Sequence, residues 1–386
     1  MLYSIWFAHL KNFSFFLKRV FILFCFSLVF IILISKPNIY SIGINAGFSF
    51  CIQVLIPSLF PFIFLSSFMV KSGISALLGK LFSPITKILF YLPGCSAPAI
   101  ILGLTGGYPS GAKYVKSLLD EKLINKEQAN RMMCFNVGAG PAFIISAVGE
   151  ILFKNKQIGI IIFSSEISFA LLLGVFLGFC ARISKKDFYE YKIQKCSTSS
   201  PKSFSCTLNE ACNDSVNSTI NMCSPVILFY AFIYIINSFH PEQLLSSIVP
   251  TNINILFIPL LLEVNSCCSL IAREFFSPTL AAFAIGWGGL CVHLQISSVL
   301  EAKKDFNFLH FLLFRIIQGL GAASLVYFIT SKIDFSTPAI HQFNSDFVTP
   351  ALSTTFPGSF ALILVCIYFI NNTLQFKSQP KFPANS

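Results

Sequence analysis

Long apolar runs separated by short basic or polar stretches set the pattern of this chain. Apolar stretches run over 20–35, 42–70, 157–181, 216–239, 253–272, 306–330 and 358–370. Most are long enough for a helix that crosses a bilayer, which needs about 20 residues. Two further runs, 134–153 and 279–300, are apolar but interrupted, and 97–108 is short, like a re-entrant half-helix. The stretch 74–92 places Lys80 and Lys87 among leucines and phenylalanines, which suits an amphipathic helix lying in the interface. The pattern predicts an all-α polytopic membrane protein of about eight spans and re-entrant pieces.

The interruptions carry the information. In the first half they read Gly106-Gly107-Tyr108-Pro109-Ser110-Gly111-Ala112-Lys113 and Asn136-Val137-Gly138-Ala139-Gly140-Pro141-Ala142-Phe143. In the second half they read Glu263-Val264-Asn265-Ser266 and Gly286-Trp287-Gly288-Gly289. A helix in lipid must satisfy its own backbone, so such breaks persist only where protein or a water-filled cavity surrounds them. Broken segments at corresponding places in two halves point to a transporter's binding site. Ile56-Pro57-Ser58-Leu59-Phe60 also has an echo in Ser224-Pro225-Val226-Ile227-Leu228-Phe229. The chain therefore divides into an N-terminal anchor (1–41), a first repeat (42–181), a basic linker (182–207), a second repeat (208–330) and a C-terminal loop with a last span (331–386). Pro57 and Pro61 predict a kink within 42–70.

Charge orients these elements. Arg182, Lys185, Lys186, Lys192, Lys195 and Lys202 put the linker on the cytoplasmic side, and 240–252 and 331–356 fall on the other face. Over the whole chain, 55% of residues are hydrophobic and 11% charged, and the mean hydropathy is +0.74. Soluble domains carry about 25% charged residues. The net charge of +11 comes from basic residues in short loops. That is the bias expected of cytoplasmic loops, so no nucleic-acid partner is expected. The thirteen cysteines show no zinc spacing and read as reduced thiols, so no metal or other cofactor is expected.

Candidate chemistry gathers at the breaks. A half-helix starting at a glycine break directs free N–H groups and a positive dipole end inward, which favours a small anionic solute. Ser110, Asn136, Asn265 and Gln295 add neutral donors. Lys113 either supplies charge or snorkels to the surface. The candidate contact set is Gly107, Tyr108, Ser110, Lys113, Asn136, Gly138, Gly140, Glu263, Asn265, Gly288, Gly289 and Gln295. Glu150, Glu166 and Glu263 fall at apolar positions, where a carboxylate is a functional hypothesis by default. Glu263 adjoins a break. The rival readings are an ion pair with Lys154 for Glu150, a hydrogen bond between helices for Glu166, and simple core packing for His293. Ser110-Gly111-Ala112-Lys113 fits a Ser-x-x-Lys nucleophile, but Ser-Asp-Asn and Lys-Thr-Gly are absent, so an enzyme is not expected.

Residues 107–113 (Gly-Tyr-Pro-Ser-Gly-Ala-Lys), 136–143 (Asn-Val-Gly-Ala-Gly-Pro-Ala-Phe) and 288–295 (Gly-Gly-Leu-Cys-Val-His-Leu-Gln) resemble the signatures of the sporulation integral membrane protein YlbJ family. The broken repeats are similar to the nucleoside-recognition, or Gate, domain. The resemblance covers about 45–330. Where similar sequences carry threonine and glycine after the Glu-Val pair, this chain has Asn265, Ser266 and Cys267. The resemblance implies a role in endospore formation, in which dipicolinic acid moves from mother cell to forespore across the outer forespore membrane. A nucleoside-type transporter and a non-transporting assembly factor of the spore envelope are the alternatives. Expected partners are a small anionic molecule and membrane lipid, with a homo-oligomer left open.

Overall fold

The computed structural model describes residues 37–184, 203–239, 251–300 and 306–332, with scattered positions between 20 and 35. Most of the 1–41 anchor and of the 182–207 linker lie outside the described residues. So do the loop at 240–250 and everything beyond Lys332, including the expected span at 358–370. Among the described residues every regular element is helical. Five helices are long and apolar enough to cross a membrane: Pro37–Leu55, Lys156–Ile183, Phe204–Asn237, Pro278–Leu300 and Phe308–Thr330.

The first long element joins α1 (Pro37–Phe50), a π turn (Cys51–Leu55) and α2 (Ile56–Lys71). Pro57 has no N–H, and in an α-helix its ring would meet the carbonyl of Gln53. The wider π turn just before it takes up that mismatch. α3 (Ile74–Ile85) continues as a π turn (Thr86–Phe90) and stops at Tyr91, whose φ of 52° is left-handed. Leu77, Leu81, Ile85 and Ile88 point outward, as an interfacial helix requires.

α4 (Ser96–Thr105) and α5 (Tyr108–Asp120) fold against each other about Gly107. Gly103 and Gly111, each four residues from that tip, face one another. A Cβ on Gly111 would lie 3.4 Å from Gly103 Cα. A helical hairpin thus stands where the re-entrant half-helix was expected.

α6 (Lys126–Met133) is capped by a reciprocal Asn125–Gln128 pair and ends in the break at 134–141. A π-helical segment (Ala142–Leu152) follows, then α7 (Lys156–Ile183), capped by Asn155. α7 folds back on the π segment through two glycines. A Cβ on Gly149 would lie 2.7 Å from Gly159 Cα.

α8 (Phe204–Asn237) starts at Phe204 rather than near Val216. Its polar first turns are held by Lys71 of α2, 3.6 Å from Glu210 and 2.7 Å from Asp214. α1 packs into α8 through Gly43 and Gly47, where a Cβ would come within 2.8 Å of Ala231 Cα and 2.9 Å of Ile227 Cα.

α9 (Thr251–Leu262) meets α10 (Val264–Leu270) at Glu263, and α10 continues as a π turn (Ile271–Phe275). α11 (Pro278–Trp287) and α12 (Gly289–Leu300) form a broken span, and α13 (Phe308–Thr330) closes the described chain. In both halves two short helices joined at a tip precede a broken span and then a long helix.

Candidate functional site

The two breaks of the first half meet at Asn136. This residue is fully buried, and its side chain and carbonyl fill the notch between Gly103 and Gly111. A Cβ at either glycine would collide with it. Its Nδ2 donates to Ala99 O at 3.0 Å, while its Oδ1 has no partner. Gly140 completes the junction, since a Cβ there would lie 2.8 Å from Thr105 O and 3.2 Å from Gly107 N. Gly107 itself has φ 87° and ψ 169°, and no side chain caps α5 behind it. Gly138 differs from the others. Nothing lies within 4 Å of the Cβ it would carry, so it borders open space.

The two breaks of the second half meet at Glu263. Its carboxylate is fully buried and caps α10: Oε2 accepts the Ser266 N–H at 2.7 Å, and Oε1 accepts Asn265 Nδ2. Ser266 Oγ donates in turn to Glu263 O at 3.1 Å. Gly289, at φ 73°, presses against this tip, and a Cβ on it would lie 3.0 Å from Leu262 O. Gly288, at φ 85°, ends α11 in the left-handed region that glycine favours.

Two side chains tie the pairs together. Tyr108, at the first tip, donates its hydroxyl to Ile285 O at 2.8 Å. Arg315 of α13 is 1% exposed and donates Nη1 to Val137 O and Nη2 to Gly286 O. Gly286 O lies in the last turn of α11 and Val137 O in the break that follows α6, where no continuing helix supplies an N–H. The α11 end carries the negative pole of its dipole, which helps to stabilise the cation without a carboxylate.

Arg315 was not among the residues singled out from the sequence. The signal was present, since it is the one charged residue in the run 308–330, and an ionisable residue at that depth marks a site. α13 carries a second buried polar group one turn on. Gln318 Nε2 donates to Glu166 O and to Glu166 Oε2, each at 2.9 Å. The hydrogen bond between helices, the rival reading of Glu166, is therefore present.

The remaining expected contacts sit elsewhere. Ser110 Oγ donates to Gly106 O at 2.7 Å, within its own turn. Lys113 is exposed, and its Nζ donates to Ser218 Oγ of α8 at 2.8 Å. It faces α8 rather than Ser110, so no serine–lysine dyad is assembled. Gln295 Nε2 approaches Met222 O and Cys291 Sγ, each at 3.5 Å. Met222 also reaches the first tip, with its Cε 3.9 Å from a Cβ built on Gly107. Glu150 forms an ion pair with Lys156 at 3.0 Å, and Lys154 has a left-handed backbone at φ 52°. His293 takes the core role, edge-on to Trp287 at 4.5 Å and to Phe311 at 5.6 Å.

Comparison with known proteins adds one finding. The chain is 24% identical over 319 residues to the sporulation integral membrane protein YlbJ of Bacillus subtilis (strain 168), covering 76% of this chain and 78% of that protein. No family model matches the chain, and no solved structure matches it. With five apolar helices among the described residues, the similarity makes this a multi-pass membrane protein.

Proposed function

We propose, for a chain that belongs to the YlbJ family of sporulation integral membrane proteins, that it transports a small anionic solute. Dipicolinic acid is the substrate that the sequence resemblance implies. The observation that carries this reading is the union of all four breaks. Asn136 and Gly140 join the first two, Glu263 and Gly289 join the second two, and Tyr108 with Arg315 links the pairs. Each unsatisfied backbone group in hydrocarbon costs several kcal/mol. A protein that only anchored other components would satisfy its backbone more cheaply with unbroken helices. Interrupted helices gathered in one buried polar unit are what alternating access uses.

The uncapped start of α5 at Gly107 and the open space beside Gly138 favour an anionic solute over a neutral one. The recurring order of tip, broken span and long helix supports two repeats within an architecture of about eight spans and re-entrant pieces. The cytoplasmic linker, the placement in the outer forespore membrane and the direction from mother cell to forespore belong to the same reading. Nothing in the placement of Ser110 and Lys113 supports catalysis.

Uptake into liposomes containing the purified protein tests this directly. Dipicolinate should accumulate and nucleosides should not. Accumulation of a nucleoside alone would establish the nucleoside-type alternative. Failure of folded protein to move either solute would favour the assembly factor.

A further inference from the structure

The pair formed by Glu166 and Gln318 holds more polar capacity than it uses. Both are buried, at 7% and 2% exposure, in the middle of α7 and of α13. An ionised carboxylate has about four acceptor positions on its two oxygens. Here Oε2 accepts one N–H from Gln318, and Oε1 accepts nothing. Gln318 Oε1 is likewise without a donor. Two planar forks are therefore joined through one arm, with an acceptor left idle on each.

Arg315 does not complete the set. Its Nη groups donate to Val137 O and Gly286 O, and its Nε, which has no partner, makes no bond to Glu166. Gly286 O lies in the last turn of α11, whose C-terminus carries about half a negative charge, and Val137 O adds a second carbonyl, so Arg315 is partly balanced without Glu166. An anionic Glu166 would remain a buried charge with one hydrogen bond, which is costly in a protein interior.

We propose that Glu166 and Gln318 form a proton-binding site in the membrane core, with the proton on Glu166 Oε1 donated to Gln318 Oε1. One proton, taken from water, supplies the missing donor and closes the second arm of the fork. No other bond is made or broken. The groups facing Glu166 are few. Arg315 comes from α13, Tyr108 from α5 and Cys268 from α10. The other charges on elements packed against α7 lie at its ends. Arg131 and Arg182 both stand over the Tyr91 ring, and Arg182 binds the carbonyls of Lys87 and Ile88. Glu150 is paired with Lys156. Release of the proton as the helices rearrange would couple solute movement to a proton gradient, and that last step rests on the transport reading.

Infrared spectroscopy of the full chain in lipid, without solute, tests the site itself. At neutral pH the parent protein should show a protonated carboxyl band that shifts in deuterium oxide and is lost in Glu166→Gln. Gln318→Met keeps the acid and removes its acceptor, so the band should move toward that of a free acid. A parent protein without such a band, a band that survives Glu166→Gln, or a band unmoved by Gln318→Met would each overturn the proposal. In liposomes, an imposed proton gradient should raise parental uptake several-fold and leave uptake by Glu166→Gln unchanged, with solute exchange retained. Equal acceleration of both proteins would overturn the coupling step. Absence of any uptake by the parent would overturn the transport reading while leaving the infrared result to decide the proton site.

Discussion

The two tips at which the helices turn, Gly106–Gly107 and Glu263, occupy corresponding places in the two halves but are built in opposite ways. The second is closed upon itself. Its own carboxylate neutralises the positive end of α10, and Asn265 and Ser266 occupy both of its oxygens. The first has no side-chain cap, and it borrows its partners from elsewhere: Asn136 from the next broken span, Ile285 through Tyr108, and Met222 of α8. A tip already neutralised by the chain offers little to an anion. A tip whose helix start has no side-chain cap offers more. On the transport reading this comparison assigns solute contact to the first half, with Glu263 serving as a cap.

Arg315→Met should have the largest effect, because it removes what both halves share. The carbonyls of Val137 and Gly286 would be left unpaired. A loss of about 1–3 kcal/mol is expected for each buried carbonyl left without its donor. It would be read as a collapse in the yield of monodisperse protein after extraction. Normal yield and melting temperature would show that the two halves hold together without it.

Asn136→Ala comes next. It frees the Ala99 carbonyl and empties the notch between Gly103 and Gly111, at a cost of about 1–3 kcal/mol. Uptake should be lost while the protein stays in the membrane. Parental uptake would remove the first tip from the solute path.

Glu263→Ala should cost about 0.5–2 kcal/mol, the range for a lost N-cap. Glu263→Gln keeps an acceptor for the Ser266 N–H and should melt close to the parent. If the residue is a cap, the glutamine variant transports. If it also contacts solute or ion, that variant is folded and inactive. The pair of variants therefore sharpens the contrast between the tips whichever way it falls.

Gly138→Leu should perturb stability least, by under about 1 kcal/mol, because the space beside it is open. Uptake should nevertheless fall steeply if that space is part of the path. Unchanged uptake would place the path elsewhere.

The breaks were legible in the sequence because glycine and proline are conspicuous inside apolar runs, and lipid allows no other excuse for them. Which breaks touch was partly legible too, since four separate interruptions would each need partners. Arg315 was legible in principle and was overlooked because attention went to the breaks rather than to the helix that binds them. The Glu166–Gln318 pair was not legible, because its members are 152 residues apart and meet only when α7 and α13 pack. The cap at Glu263 escaped because glutamate is not a preferred N-cap residue. α8 was read as too short because its first turns look soluble, and only the contacts with Lys71 explain them.

Arg315 also bears on how the chain is made. On translocon-based scales an arginine at the centre of a span costs about 2.5–3.5 kcal/mol to insert. Its relief comes from carbonyls at positions 137 and 286, both synthesised before it. During biogenesis α13 therefore carries that cost until both broken spans have assembled to receive it, so the order of synthesis places the acceptors before the cation that needs them.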